Sequence, residues 1–231
     1  MDAGCIPEIR HMLIKRKFES EDGMASAVMA AIADACSSSC GTKNAVMVTG
    51  GSFAVLMRNG CKGPACHCAR DAVIILSDER HVSDSSVHSN YKALYPMLSG
   101  LGSEKSVIRP DTRLPLAESA AAYDRALKGL CESGSVLRIA FLGLGKDGHF
   151  ASLFGDAPLD SSDHYAVPVK MPEPPDRISV TVEFLWSAQK IVFVVPGLDK
   201  TAAIKCVEEG RNKLMNKLLE KAGIVEMWVI E

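Results

Sequence analysis

The chain has 231 residues, of which 47% are hydrophobic and 23% charged, a composition that excludes an intrinsically disordered protein. Lysine and arginine total 26 against 28 aspartates and glutamates, so the net charge of −2 argues against binding nucleic acid or a membrane surface through bulk charge. No stretch approaches the roughly 20 apolar residues that a membrane span requires, and residues 1–23 lack the apolar core of a secretion signal.

Strands and helices are predicted to alternate along the chain. The helical patterns cover 19–38, 86–98, 115–131 and 199–221, and the continuous apolar runs typical of buried strands cover 45–49, 72–77, 136–143, 190–195 and 226–230. Residues 178–184 alternate in polarity and predict a half-exposed strand or edge hairpin. This order predicts a single α/β domain over residues 1–231, a three-layer α/β/α sandwich with a mostly parallel, Rossmann-like sheet.

Polar residues and glycines follow four of the predicted strands. These segments are 49–52, 77–80, 143–149 and 196–200. Because an open parallel sheet binds its ligand beyond the carboxyl ends of its strands, we expect all four segments to meet in one cleft.

Three of these segments, 49–52, 77–80 and 196–200, have the residue types of a phosphate site. Gly50, Gly51 and Ser52 precede a helical segment and offer backbone N–H groups and a hydroxyl at a helix N-terminus. Arg80 offers a planar fork to a phosphate, and Lys200 offers a point charge. The alternative is a plain tight turn with two solvated surface cations.

The segment after the third strand carries a candidate general base. His149 lies among glycines, and Asp147 two residues earlier can accept its ring N–H, which leaves the other ring nitrogen free to take a proton. The alternative is an ordinary surface histidine. The chain has no Gly-x-Ser-x-Gly elbow, so a serine nucleophile is not expected, and a histidine acting directly on water fits better.

Two further patterns resemble cofactor or metal sites. Gly143-x-Gly145-x-x-Gly148 matches the dinucleotide fingerprint, but it lies mid-chain and no acidic strand end follows about 20 residues later. The group Cys61, Cys66, His67 and Cys68 is spaced more like a surface loop than a zinc site. We therefore expect no cofactor and no metal. Most of the eight cysteines have apolar neighbours, which predicts a reduced, cytoplasmic protein.

Five blocks of this sequence, in order, resemble those of 6-phosphogluconolactonases. The blocks are Asp-Glu-Arg at 78–80, Ser-Asn-Tyr at 89–91, the segment from Gly-Leu-Gly-Lys-Asp-Gly-His to Ser-Leu-Phe at 143–154, the proline-rich stretch and strand at 171–181, and Gly-Leu-Asp-Lys at 197–200. The resemblance spans about residues 19–230. It implies an enzyme of the oxidative pentose phosphate pathway that hydrolyses 6-phospho-D-glucono-1,5-lactone to 6-phosphogluconate, without a cofactor, as a monomer or small homo-oligomer.

The resemblance also implies roles for individual residues. The 6-phosphate is expected to bind at the glycine turn and at Ser52, Arg80 and Lys200, with Arg177 as a further contact. His149 is expected to take a proton from the attacking water, and Asp147 to orient it. Asp78 is expected to orient water or sugar hydroxyls, or to brace the loop. Backbone N–H groups of residues 143–149 are expected to stabilise the oxyanion.

Two other functions stay open beside the lactonase. Phe53 follows the phosphate turn where the family usually has Thr, and Phe150 also replaces a usual Thr, which would suit a phosphosugar-binding module without catalysis. The related glucosamine-6-phosphate deaminases carry Asp-Glu-Tyr where this chain has Asp-Glu-Arg at 78–80, and Asn-Glu-Pro where it has Ser-Leu-Phe at 152–154. Both differences favour the lactonase.

Overall fold

The computed structural model describes residues 13–37, 43–60, 72–102, 106–155 and 163–230. The strands are β1 Leu13–Phe18, β2 Asn44–Val48, β3 Val73–Leu76, β4 Asp78–Arg80, β5 Val107–Ile108, β6 Val136–Leu142, β7 Ala166–Val169, β8 Arg177–Val180, β9 Lys190–Val195 and β10 Ile224–Ile230. The helices are α1 Glu21–Ser37, α2 Gly51–Gly60, α3 Asn90–Leu101, α4 Leu116–Glu132, α5 Val182–Leu185, α6 Thr201–Glu208 and α7 Lys213–Leu219, with a 3-10 turn at Leu198–Lys200. The cysteine-rich segment from Cys61 to Cys68 lies outside the described residues.

Seven strands form one sheet in the order β1-β10-β9-β6-β2-β3-β5, and every neighbouring pair is parallel. Along β2, Val46 and Val48 pack into one apolar cluster with α1, α2 and α3, whereas Ala45 and Met47 pack into another with α4 and α7. The sheet therefore has helices on both faces, which explains its continuous apolar strands. The predicted α/β sandwich with a parallel sheet is confirmed; its assignment as one domain over residues 1–231 stays a prediction.

The structure corrects three details of the prediction. Strand β1 was not predicted, because four of its six residues are exposed on this edge strand and the sequence there reads as charged. The predicted strand at 178–184 ends at Val180, since Thr181 caps the short helix α5 by accepting from the N–H of Phe184. The predicted helix at 199–221 is divided at Gly210, whose φ of +69° favours glycine.

The feature that matters most for the site is the position of four strand ends. Strands β9, β6, β2 and β3 are consecutive in the sheet, so the segments that follow them lie side by side at its carboxyl edge. A second, three-stranded antiparallel sheet, β4-β8-β7, begins at this edge, directly after β3. In the described parts of the chain, no helix combines the length and the hydropathy needed to cross a membrane.

Candidate active site

A cavity of about 150 Å³ lies at the carboxyl edge of the parallel sheet. Four strand ends and the antiparallel sheet contribute to its wall. It brings together nearly all the residues that the sequence singled out: Gly50, Gly51, Ser52, Asp78, Arg80, His149, Arg177 and Lys200. Asp147 stands directly behind His149 and contacts it through a hydrogen bond. The prediction that these segments share one cleft is therefore confirmed, while the role of each residue stays a proposal.

The glycine turn places the start of a helix in the cavity wall. Helix α2 begins at Gly51, directly after β2, and Gly51 has a φ of +60°. A side chain at Gly50 would have its Cβ only 1.9 Å from Asn90 Oδ1. Gly51 is thus required by its backbone conformation and Gly50 by the close approach of the Asn90 side chain. The first N–H groups of a helix such as α2 have no partners within the helix. Phe53 points the other way, fully buried with its ring 5.8 Å from that of Phe141.

Two arginines face the cavity from neighbouring antiparallel strands. Arg80 in β4 lies directly opposite Arg177 in β8, so two like charges form a cross-strand pair. The Nε atom of each is buried and has no hydrogen-bond partner among the described residues. Burial, together with the charge of Arg80, lowers the pKa of Arg177 from its ordinary value. Two guanidinium groups held together in this way are able to bind an anion such as phosphate.

A third cation reaches the cavity from the end of β9. Lys200 ends the 3-10 turn that precedes α6, and it lines the same cavity as the arginines. Among the residues that the structure describes, no carboxylate forms an ion pair with it, whereas neighbouring Asp199 pairs with Lys146 at 3.0 Å. Lys200 is therefore available to a ligand as a point charge.

His149 and Asp147 form a hydrogen-bonded pair at the cavity wall. Nδ1 of His149 lies 2.5 Å from Oδ1 of Asp147, and the ring of Phe154 lies 4.5 Å from the imidazole ring. Burial alone would raise the pKa of Asp147, but the hydrogen bond and charge of His149 outweigh it and lower that pKa. Asp147 therefore stays ionised and accepts from Nδ1, which leaves Nε2 of His149 to act on a ligand.

The loop that carries this pair is closely fitted around it. A Cβ on Gly145 would lie 2.2 Å from His149 Nδ1 and 2.6 Å from Asp147 Oδ1. Gly148 has a φ of +85°, and its carbonyl accepts from Asn212 Nδ2 at 2.9 Å. The residues from 143 to 148 form a turn, and the described residues directly after it, 149–155, are not helical. The segment therefore lacks the strand–glycine–helix geometry of a dinucleotide site.

Asp78 lies at the centre of a buried hydrogen-bond network. It accepts from Ser77 Oγ at 2.7 Å with one carboxylate oxygen and from Ser152 Oγ at 2.7 Å with the other. Ser77 Oγ also lies 2.9 Å from Thr49 Oγ1. The network thus ties the ends of β2 and β3 to the turn after His149, where Ala151 adopts a φ of +50° that non-glycine residues rarely adopt.

The next residue in the motif, Glu79, fixes the start of α3. Its buried carboxylate accepts from the backbone N–H groups of Arg80, Asn90 and Tyr91, at 2.7 to 2.8 Å. Burial raises the pKa of Glu79, although these hydrogen bonds oppose the shift. In the Asp-Glu-Arg motif, Asp78 therefore holds the hydrogen-bond network together, Glu79 fixes the start of α3, and Arg80 places a positive charge at the cavity.

Two asparagines near the site were not predicted to take part in it. Asn90 donates to the Asp78 carbonyl at 3.0 Å and lines the cavity, while Asn212 caps α7 and holds the Gly148 carbonyl. Asn90 belongs to the Ser-Asn-Tyr block at 89–91, which carries the family resemblance, whereas nothing in the sequence around Asn212 points to the site. Within the described ranges, no three His, Cys, Asp or Glu side chains are placed to hold a metal ion.

Comparisons with known proteins agree with this architecture. The family described as glucosamine-6-phosphate isomerases/6-phosphogluconolactonase matches residues 19–218. A probable 6-phosphogluconolactonase of Drosophila melanogaster is 31% identical over 71% of this chain and 69% of its own length. The human 6-phosphogluconolactonase is 34% identical over 59% of this chain, and the match spans only 55% of the human protein.

The structure of 6-phosphogluconolactonase from Trypanosoma brucei superimposes with a TM-score of 0.81 over 95% of this chain and 97% of that one. Its identity to this chain is 19%, so this likeness bears on the fold. The family match, by contrast, covers most of the sequence and includes every residue of the cavity described above. The chain therefore belongs to the glucosamine-6-phosphate isomerase/6-phosphogluconolactonase family.

Proposed function

We propose that the protein hydrolyses 6-phospho-D-glucono-1,5-lactone to 6-phosphogluconate, the lactonase step of the oxidative pentose phosphate pathway. The observation that carries the proposal is one cavity with two features. On one side lie two arginines that form no ion pair with any described carboxylate, and on another lies a histidine held by an aspartate. The first feature binds a phosphate, and the second activates water. The hydrolysis of a phosphorylated lactone requires both a phosphate-binding site and a group that takes a proton from water.

The phosphate end of the substrate binds first in this mechanism. Its negative charge is held by Arg80, Arg177 and Lys200, and by the N–H groups at the start of α2 together with Ser52. Binding energy gained at this remote end positions the lactone carbonyl near His149.

The chemical step is a general-base hydrolysis. Nε2 of His149 takes a proton from a water molecule while the water oxygen forms a bond to C1 of the lactone. Backbone N–H groups of residues 143–149 stabilise the resulting oxyanion. The bond from C1 to the ring oxygen then breaks, and the protonated His149 returns its proton to that oxygen. Asp147 stabilises the imidazolium form in between.

Asp78 acts in this proposal as a positioning residue. Both of its oxygens already accept from serine hydroxyls, which supports bracing of the His149 loop over direct contact with water or sugar. Nothing in the mechanism calls for a metal or an organic cofactor. The cytoplasmic location, the monomeric or small oligomeric state and the absence of nucleic-acid and membrane partners stay predictions.

The site also bears on the two alternatives. Phe53 and Phe150 are the residues that would suit a binding module without catalysis, but Phe53 lies on the buried face of α2 and the ring of Phe150 packs against that of Phe193 at 5.3 Å. Phe150 lines the cavity but is only 1% exposed, and Phe53 is not among the lining residues. A deaminase is disfavoured because the glutamate of its Asn-Glu-Pro stretch is replaced here by Leu153, a buried residue that cannot exchange a proton.

Lactone hydrolysis by a histidine variant tests the proposal. The lactone is generated in situ, the spontaneous rate is subtracted, and wild type is compared with His149→Ala. We expect a loss of roughly 10²–10⁴-fold in kcat, the range for a general base. The matched control is His164→Ala, since His164 Nδ1 also lies near an aspartate, Asp124, at 3.7 Å but outside the cavity.

The control should keep the wild-type rate. A wild-type rate no faster than the spontaneous reaction would refute the lactonase. A His149→Ala variant that folds and keeps the wild-type rate would refute the assignment of the base. Saturable binding of 6-phosphogluconate without turnover would favour the binding module instead.

A further inference from the structure

The side chain of Asn90 has one polar atom that makes no hydrogen bond with the described part of the chain. Asn90 is only 2% exposed and lies in the cavity wall, beside Gly50 of the phosphate turn. Its Oδ1 is buried and accepts no hydrogen bond from any described residue. A buried acceptor without a donor costs free energy, so its retention in a ligand cavity suggests that a ligand supplies the donor.

The orientation of this amide is fixed by its other end. Nδ2 of Asn90 donates to the carbonyl oxygen of Asp78 at 3.0 Å, and a carbonyl oxygen can only accept. The backbone N–H of Asn90 is held in turn by Glu79 at 2.7 Å. The oxygen of the amide therefore faces Gly50, and a rotation of the amide by 180° would bring two acceptors together.

A phosphate dianion does not satisfy this atom. Its oxygens are acceptors at neutral pH, and they repel another acceptor at hydrogen-bonding distance. The group that pairs with Oδ1 of Asn90 must carry a proton to donate. In a phosphorylated sugar lactone that group is a hydroxyl, and it must lie close to the phosphate because Asn90 borders the glycine turn.

We propose that Asn90 is a specificity-determining residue that accepts a hydrogen bond from a substrate hydroxyl near the phosphate. The site thereby selects polyhydroxylated phosphate esters over phosphates that lack such a hydroxyl. This inference rests on the proposed function, because it places the phosphate at the α2 turn and the two arginines. A site built to bind a hydroxyl discriminates strongly against ligands without one, since its own polar group is then left unpaired.

Ligand selectivity tests the proposal without relying on turnover. Dissociation constants are measured calorimetrically for 6-phosphogluconate, inorganic phosphate and propyl phosphate, which has no hydroxyl on its carbon chain. Wild type should bind 6-phosphogluconate more tightly than propyl phosphate. In Asn90→Ala this preference should fall by roughly tenfold, the equivalent of one hydrogen bond, while the affinity for inorganic phosphate stays within about twofold.

A second variant separates the acceptor from the donor. Asn90→Asp keeps an oxygen at the Oδ1 position but cannot donate to the Asp78 carbonyl. Its negative charge should weaken the binding of all three phosphate ligands. Its preference for 6-phosphogluconate over propyl phosphate should nevertheless be retained. Thermal unfolding shows that each variant folds, and Asn216→Ala, an exposed asparagine on α7, serves as the matched control.

The outcomes distinguish this inference from the proposed lactonase. If Asn90→Ala weakened the binding of all three ligands equally, Asn90 would only shape the phosphate turn, and the proposal would be overturned. Equal affinity of wild type for 6-phosphogluconate and propyl phosphate would overturn it even if no variant folds. Retained selectivity in a protein without lactonase turnover would refute the proposed activity and leave the inference standing.

Discussion

Replacing Gly145 with alanine should displace the catalytic pair without touching the phosphate site. Gly145 is two residues before Asp147, and its new Cβ would lie 2.2 Å from His149 Nδ1 and 2.6 Å from Asp147 Oδ1. Ordinary van der Waals contact begins at 3.4 Å, so the imidazole, the carboxylate or the turn must move by about 1 Å.

A misplacement of about 1 Å at a reacting group costs roughly 10²-fold in rate, and we expect this loss in kcat for Gly145→Ala. The assay is lactone hydrolysis with the spontaneous rate subtracted. Affinity for inorganic phosphate, measured by calorimetry, should stay within about twofold because the arginines and the α2 turn lie on other elements.

The matched control is Gly129→Ala in α4, where a Cβ meets no atom within 4 Å. This variant should keep wild-type activity and gain about 0.5–1 kcal/mol of stability, since alanine is favoured over glycine inside a helix. A folded Gly145→Ala variant with wild-type kcat would refute the argument that the close packing around His149 Nδ1 matters for catalysis.

Two further predictions concern charge. Arg177→Met should weaken binding of 6-phosphogluconate by tenfold or more, as expected for loss of a charge-assisted hydrogen bond. Its unfolding temperature should not fall, because a half-buried like charge opposite Arg80 is removed. Unchanged affinity by calorimetry would contradict the phosphate assignment. Burial alone would raise the pKa of Asp124, but its hydrogen bonds with Lys128 and the N–H of Tyr165 lower it, so its contribution to stability is present above the ordinary pKa of 3.8 and is lost as pH falls below it. Asp124→Asn should therefore show a smaller loss of unfolding free energy on acidification, followed by urea titrations, and an unchanged acid dependence would count against this.

The parts of the fold that follow from apolar patterning could be predicted from the sequence. Strands β2, β3, β6, β9 and β10 are buried on both faces, so each appears as a continuous apolar run. Edge strand β1 has no such run, because four of its six residues are exposed and its pairing with β10 is what makes it a strand. The small antiparallel sheet could likewise not be predicted from apolar patterning, since β4 has three residues and all of them are polar.

The site could be predicted where residue type and chain position coincide. Arg80 and His149 follow buried parallel strands, so sheet geometry alone brings them together. The pairing of Arg80 with Arg177 across two strands required knowledge of a register that no local pattern reveals. The contact between Asn212 and Gly148 joins residues 64 positions apart in the chain and rests on tertiary packing alone.

The cross-strand arginine pair has a consequence for the lifetime of the protein. In the ligand-free state, repulsion between Arg80 and Arg177 opposes the pairing of β4 with β8. A bound phosphate ester supplies the missing counter-charge and stabilises the native state in proportion to the logarithm of its concentration. Local opening of this small sheet, and proteolytic turnover that begins there, would consequently slow when the substrate or product is abundant.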